Sequence, residues 1–268
     1  MNYKIKQLKN LLLSIFILST PTIPQSSLAK EINFIPRAWA GLSDYQFKQS
    51  PRKGALPDGS DFPEVKFDAT FLMTGIGLTS IYDHFYIDFS YQDSSEEEDS
   101  FSSANFYEKF KGDRRDYSAT LGMKILDYQG TIYIGYKNGK TSGKGNKGTQ
   151  LTFKEDGFFI GANYGWIIAD SGLLAFNIAY ADLDGNLKEV PGPVYSSGLG
   201  MNADSETKGL SYGISWTSTI TEKIGYSIAL DANEYEFDHL KDDSASTPLP
   251  DKIEESLYTG KISIFYQF

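Results

Sequence analysis

Residues Tyr258 to Phe268 read YTGKISIFYQF and stand at the C-terminus of the chain. Alternate side chains of a β-strand point to opposite faces, so this stretch predicts a strand with one apolar face and one mostly small, polar face. Phe265 is the one large apolar residue on the polar face. The apolar face carries Tyr258, Gly260, Ile262, Ile264, Tyr266 and Phe268.

The same stretch resembles the C-terminal assembly signal of bacterial outer-membrane β-barrels, which end in Phe with aromatic or apolar residues at alternate positions before it. The positions that carry the resemblance are Gly260, Ile262, Ile264, Tyr266 and Phe268. The resemblance implies location in the outer membrane of a Gram-negative bacterium. It also implies four kinds of partner: outer-membrane lipid, lipopolysaccharide, the outer-membrane assembly machinery and periplasmic chaperones.

The N-terminus predicts export. Met1 to Asn10 carries three lysines and no acid, Leu11 to Thr20 is an apolar run, and Ser27-Leu28-Ala29 supplies small residues. This order is that of a secretory signal peptide, and the apolar run is about half of the ~20 residues that a membrane-spanning helix needs. We predict cleavage between Ala29 and Lys30, which divides the chain into a signal peptide (1–29) and one barrel domain (30–268).

Composition narrows the function classes. The net charge of −10 becomes −13 once a leader with three lysines and no acid is removed, and such an acidic chain disfavours nucleic acid as a partner. Cysteine is absent, which excludes disulfides and thiolate metal sites. Tyr and Phe, at 18 each against 3 Trp, suit a barrel with aromatic girdles. No cofactor is predicted.

The chain from Lys30 onward divides into about ten segments of alternating hydrophobicity, with a bulge expected near Asn233 to Tyr235. Their connections alternate between short turns and long polar stretches, the latter at 48–64, 93–115, 138–157, 184–208 and 238–255. The segments cover 39–47, 65–77, 85–92, 116–125, 131–137, 158–169, 173–182, 209–220, 225–237 and 258–268.

This asymmetry, with both termini on the short-turn side, favours a closed, antiparallel, up-and-down transmembrane β-barrel. Eight or twelve strands are alternatives to ten, and a soluble lipocalin-like or sandwich protein is the alternative fold. The whole mature chain resembles the small, ten-stranded, single-domain barrels of Gram-negative bacteria. We find no second domain and no repeat beyond the hairpin period.

Two catalytic alternatives depend on the two histidines. A ten-stranded barrel resembles the omptin proteases, which implies two acids facing an Asp/His pair; Asp238-His239 is a poor match, because in omptins the His lies two residues after its Asp. Barrel-type lipid A deacylases pair a His with a Ser near the membrane face, which His84 and Ser80 satisfy only in an inverted topology. We therefore expect no enzyme activity, with an outer-membrane hydrolase as the alternative.

Two polar stretches invite binding hypotheses. Glu96-Glu97-Glu98-Asp99 offers the oxygen ligands that Ca²⁺ prefers, although a run of like charges is more typical of a solvated loop. Gly139 to Gly148 is rich in Gly and Lys but lacks the spacing of a phosphate-binding loop. We interpret the second stretch as a flexible basic loop.

The alternation also points charged residues into the predicted lumen, where they must be paired or hydrated. A structural ion-pair network is favoured over a thin, selective pore, so the expected role is structural, adhesive or narrow-channel, and a small passive porin is a further alternative. The predicted lumen charges are Lys66, Asp68, Asp88, Asp116, Lys124, Lys137, Asp231 and Lys261.

Overall fold

A computed structural model describes residues 32–268 except 57, 104–105, 127–128, 169–171, 194–199 and 243–247, and the side chains of 99–107 lie outside the description. The predicted signal peptide and its cleavage point at Ala29 and Lys30 lie outside the described residues. The strands are β1 (Asn33–Gln49), β2 (Val65–Tyr82), β3 (Phe85–Ser94), β4 (Glu97–Ser103), β5 (Phe106–Ile125), β6 (Gly130–Gly145), β7 (Gln150–Ile168), β8 (Gly172–Val190), β9 (Met201–Thr219), β10 (Ile224–Lys241) and β11 (Ile253–Tyr266).

Ten of these strands close into an antiparallel barrel, which confirms the predicted fold and strand number. Strands that follow one another in the chain pair with each other except β3 and β4, which both pair with β5, and β1 pairs with β11. The last pairing runs from Arg37 opposite Phe265 to Gln49 opposite Ile253. The terminal strand therefore meets the first strand, as barrel closure requires.

Three of the five predicted long loops at the upper, long-connection end, 93–115, 138–157 and 184–208, are largely strand, and this corrects the sequence interpretation. β4 pairs with the first half of β5, from Glu97 opposite Gly112. The polar stretch 93–115 therefore extends the barrel wall upward as paired strands. β6 and β7 likewise extend through most of 138–157 and leave only 146–149 between them. Polar residues do not terminate these strands. Above the membrane the outer face of each strand contacts water, where polar side chains are favourable.

The predicted bulge in β10 is misplaced. Pairing of β10 with β9 and β11 is regular through Asn233 and Tyr235, and the register shifts instead between Asp238 and Lys241, where His239 has φ 53°. Tyr235 and Phe237 point inward, while Glu234 and Glu236 point outward. The alternation of apolar residues breaks at this point because the apolar side chains move from the outer face to the inner face of β10. The register of the backbone does not shift there.

β2 shows this inversion of polarity most clearly. At its upper end the inner face is apolar and buried, with Phe67 and Phe71 in the core, and the outer face carries Lys66 and Asp68. Below Met73 the outer face becomes apolar, and Ile76 is 62% exposed. β2 therefore passes from a section with an apolar inner face and a polar outer face into a section with an apolar outer face, as a lipid-facing strand requires.

Large exposed apolar side chains form a belt around the lower half of the barrel, bounded by two aromatic girdles, and we take the wall between them as its membrane-spanning section. Within the described residues, no helix is long and apolar enough to cross a membrane. The upper girdle contains Tyr91, Tyr117, Tyr136, Phe158, Tyr180, Tyr212 and Tyr258. The lower girdle contains Phe34, Tyr82, Phe85, Tyr164, Trp166, Tyr226, Tyr266 and Phe268.

Candidate functional site

Arg114 lies at the centre of the barrel, at the upper edge of the apolar belt, and is 1% exposed. Its Nη1 donates to Thr141 Oγ1 at 3.1 Å and to Glu255 Oε1. Its Nη2 donates to Glu155 Oε1 at 2.7 Å and to Asp116 Oδ1 at 2.8 Å. The guanidinium thus ties β5, β6, β7 and β11 together across the lumen.

Lys137 extends this network to β10. Its Nζ donates to Glu155 Oε1 at 2.7 Å and to the Tyr235 hydroxyl at 2.6 Å. The ammonium group also lies 4.2 Å from the centroid of the Tyr235 ring. We call Arg114, Asp116, Lys137, Glu155 and Glu255 the lumen ion network.

A glycine makes room for the network. Gly139 stands between Asp116 and Glu155 in the strand register, on the inner face. A Cβ atom at Gly139 would come within 2.6 Å of Glu155 Oε1 and 2.9 Å of Arg114 Nη2, closer than real Cβ contacts allow. The missing side chain is therefore what allows the arginine to reach its carboxylates.

The network contains three carboxylates and two cations. Full ionisation would leave a net negative charge in a site where Glu155 and Glu255 are each 1% exposed. Isolated buried charge is costly, so the arginine and lysine are needed to hold these acids in the lumen.

An aromatic core fills the barrel above the network. Phe153 contacts Phe47 and Phe237, with ring centroids 5.8 and 4.5 Å apart. Phe62, from the β1–β2 connection, joins the same core and is 4% exposed. Arg52, in the same connection, is fully buried and forms an ion pair with Glu189 at 3.1 Å. The upper end of the lumen is therefore packed like the interior of a soluble protein.

Below the network, the lumen contains a cavity of about 460 Å³ that is lined by charged, polar and apolar side chains. Arg37 donates to both oxygens of Asp88, one of them at 2.9 Å, and Lys261 lies 2.8 Å from Asp231. Lys124, 5% exposed, also lines this cavity. Ile35, Ile81 and Phe265 pack together in a small cluster at the lower end.

The predicted lumen charges separate into three groups. Asp116 and Lys137 belong to the ion network, and Asp88, Lys124, Asp231 and Lys261 line the lower cavity. Lys66 and Asp68 were assigned to the wrong face, since both are exposed on the outside of β2. Their strand stands above the apolar belt, where the outer face is the wet one.

On that outer surface Lys66 pairs with Glu64 at 3.0 Å, and Glu64 also lies 3.3 Å from Lys48. The hydrogen bond from Lys66 lowers the pKa of the Glu64 carboxyl from its usual value. An exposed pair of this kind contributes little to stability.

Sequence reasoning missed Arg37, Arg114, Glu155 and Glu255. The last three fall in stretches interpreted as loops, so no face was assigned to them, and Arg37 precedes the predicted start of the first strand. Continuing the two-residue alternation beyond the apolar segments places Arg114, Gly139 and Glu155 on the inner face, and this signal was available.

The two histidines lie at opposite ends of the barrel. His84 occupies the β2–β3 turn, and Ser80 lies on the outer face near the lower end of β2. The His239 side chain is 70% exposed near the upper end of β10, and its Nδ1 is 3.9 Å from Glu206 Oε2, beyond hydrogen-bond distance. Neither position is a cleft that gathers acids around an imidazole.

The two polar stretches are parts of the wall. Glu97 accepts a hydrogen bond from the Ser95 hydroxyl at 2.8 Å, and Glu98 pairs with Lys109 at 3.1 Å. Among the residues whose side chains are described, no group of three or more His, Cys, Asp or Glu side chains is arranged to hold a metal ion. The Gly- and Lys-rich stretch from Gly139 belongs mainly to β6, so its interpretation as a flexible loop is wrong.

The terminal strand has the faces that its pattern predicts. Ile262, Ile264 and Phe268 are 59%, 57% and 72% exposed on the outer surface. Tyr266 and Phe268 stack edge to face, with ring centroids 4.9 Å apart. Phe265, the large residue on the other face, is 7% exposed inside the lower cluster.

No protein-family model and no curated protein matches this chain. Among solved structures, the outer-membrane protease OmpT of Escherichia coli aligns with a TM-score of 0.59 at 9% identity, covering 91% of this chain and 99% of OmpT. The translocator domain of the autotransporter NalP from Neisseria meningitidis aligns with a TM-score of 0.46 at 10% identity, covering 100% and 95% of the two chains. At such low identity the OmpT likeness shows the fold alone: this chain forms a closed, ten-stranded barrel of the kind found in bacterial outer-membrane proteins.

Proposed function

We propose that this protein is an integral outer-membrane barrel whose lumen is closed, and whose role is structural or adhesive and carried by the wall above the membrane. The apolar belt between two aromatic girdles supports the location, because a soluble barrel gains nothing by exposing Ile76, Phe158 and Leu230 each by 62–63%. The outer-membrane assembly machinery and periplasmic chaperones are the partners that such a location requires.

One observation carries the proposed closed lumen: the aromatic core and the lumen ion network occupy the upper barrel one above the other. Phe47, Phe153 and Phe237 are each at most 2% exposed, and Arg114 beneath them is 1% exposed. A solute entering from above meets packed side chains and then a fully paired arginine. The lower cavity supports the second candidate, a narrow channel, only if both layers move aside.

Single-channel recording in a planar bilayer tests this proposal. The refolded wild-type chain is expected to give no steady conductance. A variant that combines Phe153→Ala and Phe237→Ala with Arg114→Ser should conduct, because it removes a ring pair at 4.5 Å from the aromatic core and the guanidinium from the layer beneath it. Phe89→Ala, a matched deletion on the lipid face, should stay silent. Uniform, ion-selective steps from the wild-type chain would instead establish the narrow channel.

The proposal includes no catalysis, and the positions of the two histidines support this. His84 and His239 are separated by the length of the barrel, so they do not form one site. Peptide and lipid A hydrolysis should be equal, and at background level, for the wild type and for His84→Ala and His239→Ala variants. Hydrolysis that is lost in either variant would favour the hydrolase alternative.

A further inference from the structure

The outer wall directly above the upper girdle carries a basic patch on β5, β6 and β7. Register places Arg115 opposite Lys140 and Lys140 opposite Lys154, and it also pairs Lys111 with Lys144. All five side chains are exposed on the outer face. The patch stands out because the chain as a whole has a net charge of −10.

Three of these lysines have no counter-ion in the part of the chain whose side chains are described. Lys140, Lys144 and Lys154 form no ion pair there, whereas Arg115 contacts Asp93 at 3.4 Å. Acids also lie on this face: Asp93 and Glu98 stand opposite Arg115 and Lys111 in the register, and Asp184 stands opposite Asp156. Asp113 lies between Lys111 and Arg115 on β5, and Asp156 accepts a hydrogen bond from the Tyr136 hydroxyl. Like charges opposite one another across strands are destabilising, so a bound anion would relieve this repulsion.

A groove in the lipid-facing wall begins just below the same patch. It has a volume of about 480 Å³ and is lined mainly by apolar surface of β2, β3, β5 and β6. Its floor is Ala119, which is paired with Phe89 on one side and Tyr136 on the other. Tyr117 and Asn138 line its upper end, two residues along the same outer faces from Arg115 and Lys140.

We infer that the groove and the basic patch together form a binding site for one acylated, multiply phosphorylated lipid of the outer leaflet, which in a Gram-negative outer membrane is lipopolysaccharide. An acyl chain lies in the groove over Ala119, and phosphates contact the row Arg115, Lys140 and Lys154. That row crosses two strand spacings, about 10 Å, which suits more than one phosphate. A zwitterionic phospholipid suits it less, since it brings a single phosphate and its own cation.

This inference rests on the proposed outer-membrane location, and the experiment separates the two. The full mature chain is folded in zwitterionic detergent, with folding checked by heat-modifiable migration, and titrated with bisphosphorylated lipid A by native mass spectrometry. The Lys140→Ser/Lys154→Ser variant should bind about 30-fold more weakly, and the wild-type affinity should fall as salt rises. Lys140→Ser alone, which removes one exposed charge, provides a second folded variant.

Matched control variants test whether lipid A binding depends on this particular patch and groove. Lys188→Ser/Lys208→Ser removes the same charge from β8 and β9, and its affinity should stay within about twofold of wild type. Ala119→Phe fills the groove and should weaken binding, whereas Ala162→Phe on the lipid face of β7 should not. Inorganic pyrophosphate should not compete at equal concentration, because it lacks the acyl chains.

Equal binding of lipid A by the wild type and the Lys140→Ser/Lys154→Ser variant would overturn the inference while leaving the barrel proposal intact. Equal affinity for lipid A and a zwitterionic phospholipid would overturn it as well. A mature chain that fractionates away from the outer membrane in cells would instead overturn the proposed location. Competition by pyrophosphate at equal concentration would assign the patch to free anions and reject the lipid site.

Discussion

Removing Arg114 should destabilise the barrel far more than removing its neighbour Arg115. Arg114→Met keeps an unbranched chain of similar length and deletes every donor of the guanidinium. Glu155, Glu255 and Asp116 then lose their shared partner, and two of these acids are 1% exposed. Breaking a buried ion pair by removing one partner costs about 3–5 kcal/mol.

Arg115→Met is the matched control. Its side chain is 48% exposed and makes two long contacts with Asp93, at 3.4 and 3.5 Å, so the free energy of unfolding should hardly change. The assay is urea unfolding in detergent micelles, followed by heat-modifiable migration and tryptophan fluorescence. A loss for Arg114→Met that is no larger than the loss for Arg115→Met would refute the view that the lumen ion network supports the fold.

A double variant separates charge from packing. Glu255→Gln removes one of the two excess negative charges that Arg114→Met leaves in the ionised network, so Arg114→Met/Glu255→Gln should recover part of the lost stability. Residues that share a network show coupling free energies of about 0.5–3 kcal/mol. Strict additivity of the two losses would mean that the carboxylates do not depend on the arginine.

Two further predictions concern the wall and its terminal strand. Leu121→Arg places a cation on the lipid face, where Leu121 is 52% exposed, and should cost about 2–4 kcal/mol in a lipid-refolding titration, while Thr120→Arg, directed into the lower cavity, should cost less. Equal costs would contradict the assigned faces. Deletion of Phe268 removes one backbone hydrogen bond, from its N–H to Phe34 O at 3.3 Å, and an aromatic of the lower girdle. We expect a large loss of outer-membrane assembly in cells and a small loss of refolding in detergent; wild-type assembly in cells would contradict the proposed C-terminal signal.

The sequence predicts the barrel well because its lower half obeys one rule. Between the girdles, lipid selects apolar residues such as Ile262 and Leu121 outside, and the lumen accepts Lys261 and Thr120 inside. The two-residue alternation of side chains follows from strand geometry. Closure of the barrel follows because every backbone hydrogen-bonding group must be paired within the bilayer. The short turns and the pairing of the first and last strands could be predicted for the same reason.

The upper half was predicted poorly because water replaces lipid outside. Strand residues such as Lys144 and Lys154 then look like loop residues, and Lys66 looks like a lumen charge. The lumen ion network depends on which residues of four strands meet at one height, as Arg114 and Glu255 do. Strand stagger and tilt decide that height, and neither can be read from a single strand.

The inversion of polarity along β2 has a consequence for how this barrel tolerates change. Charged substitutions should be tolerated at even-numbered positions such as Lys66 and Asp68 in the upper wall, and at odd-numbered, cavity-lining positions such as Thr79 below. One unbroken strand would then show two opposite phases, with the exchange falling near Met73. That exchange point marks the water–lipid boundary from within the chain, so a substitution scan of a single strand would measure how deeply the protein sits in its membrane.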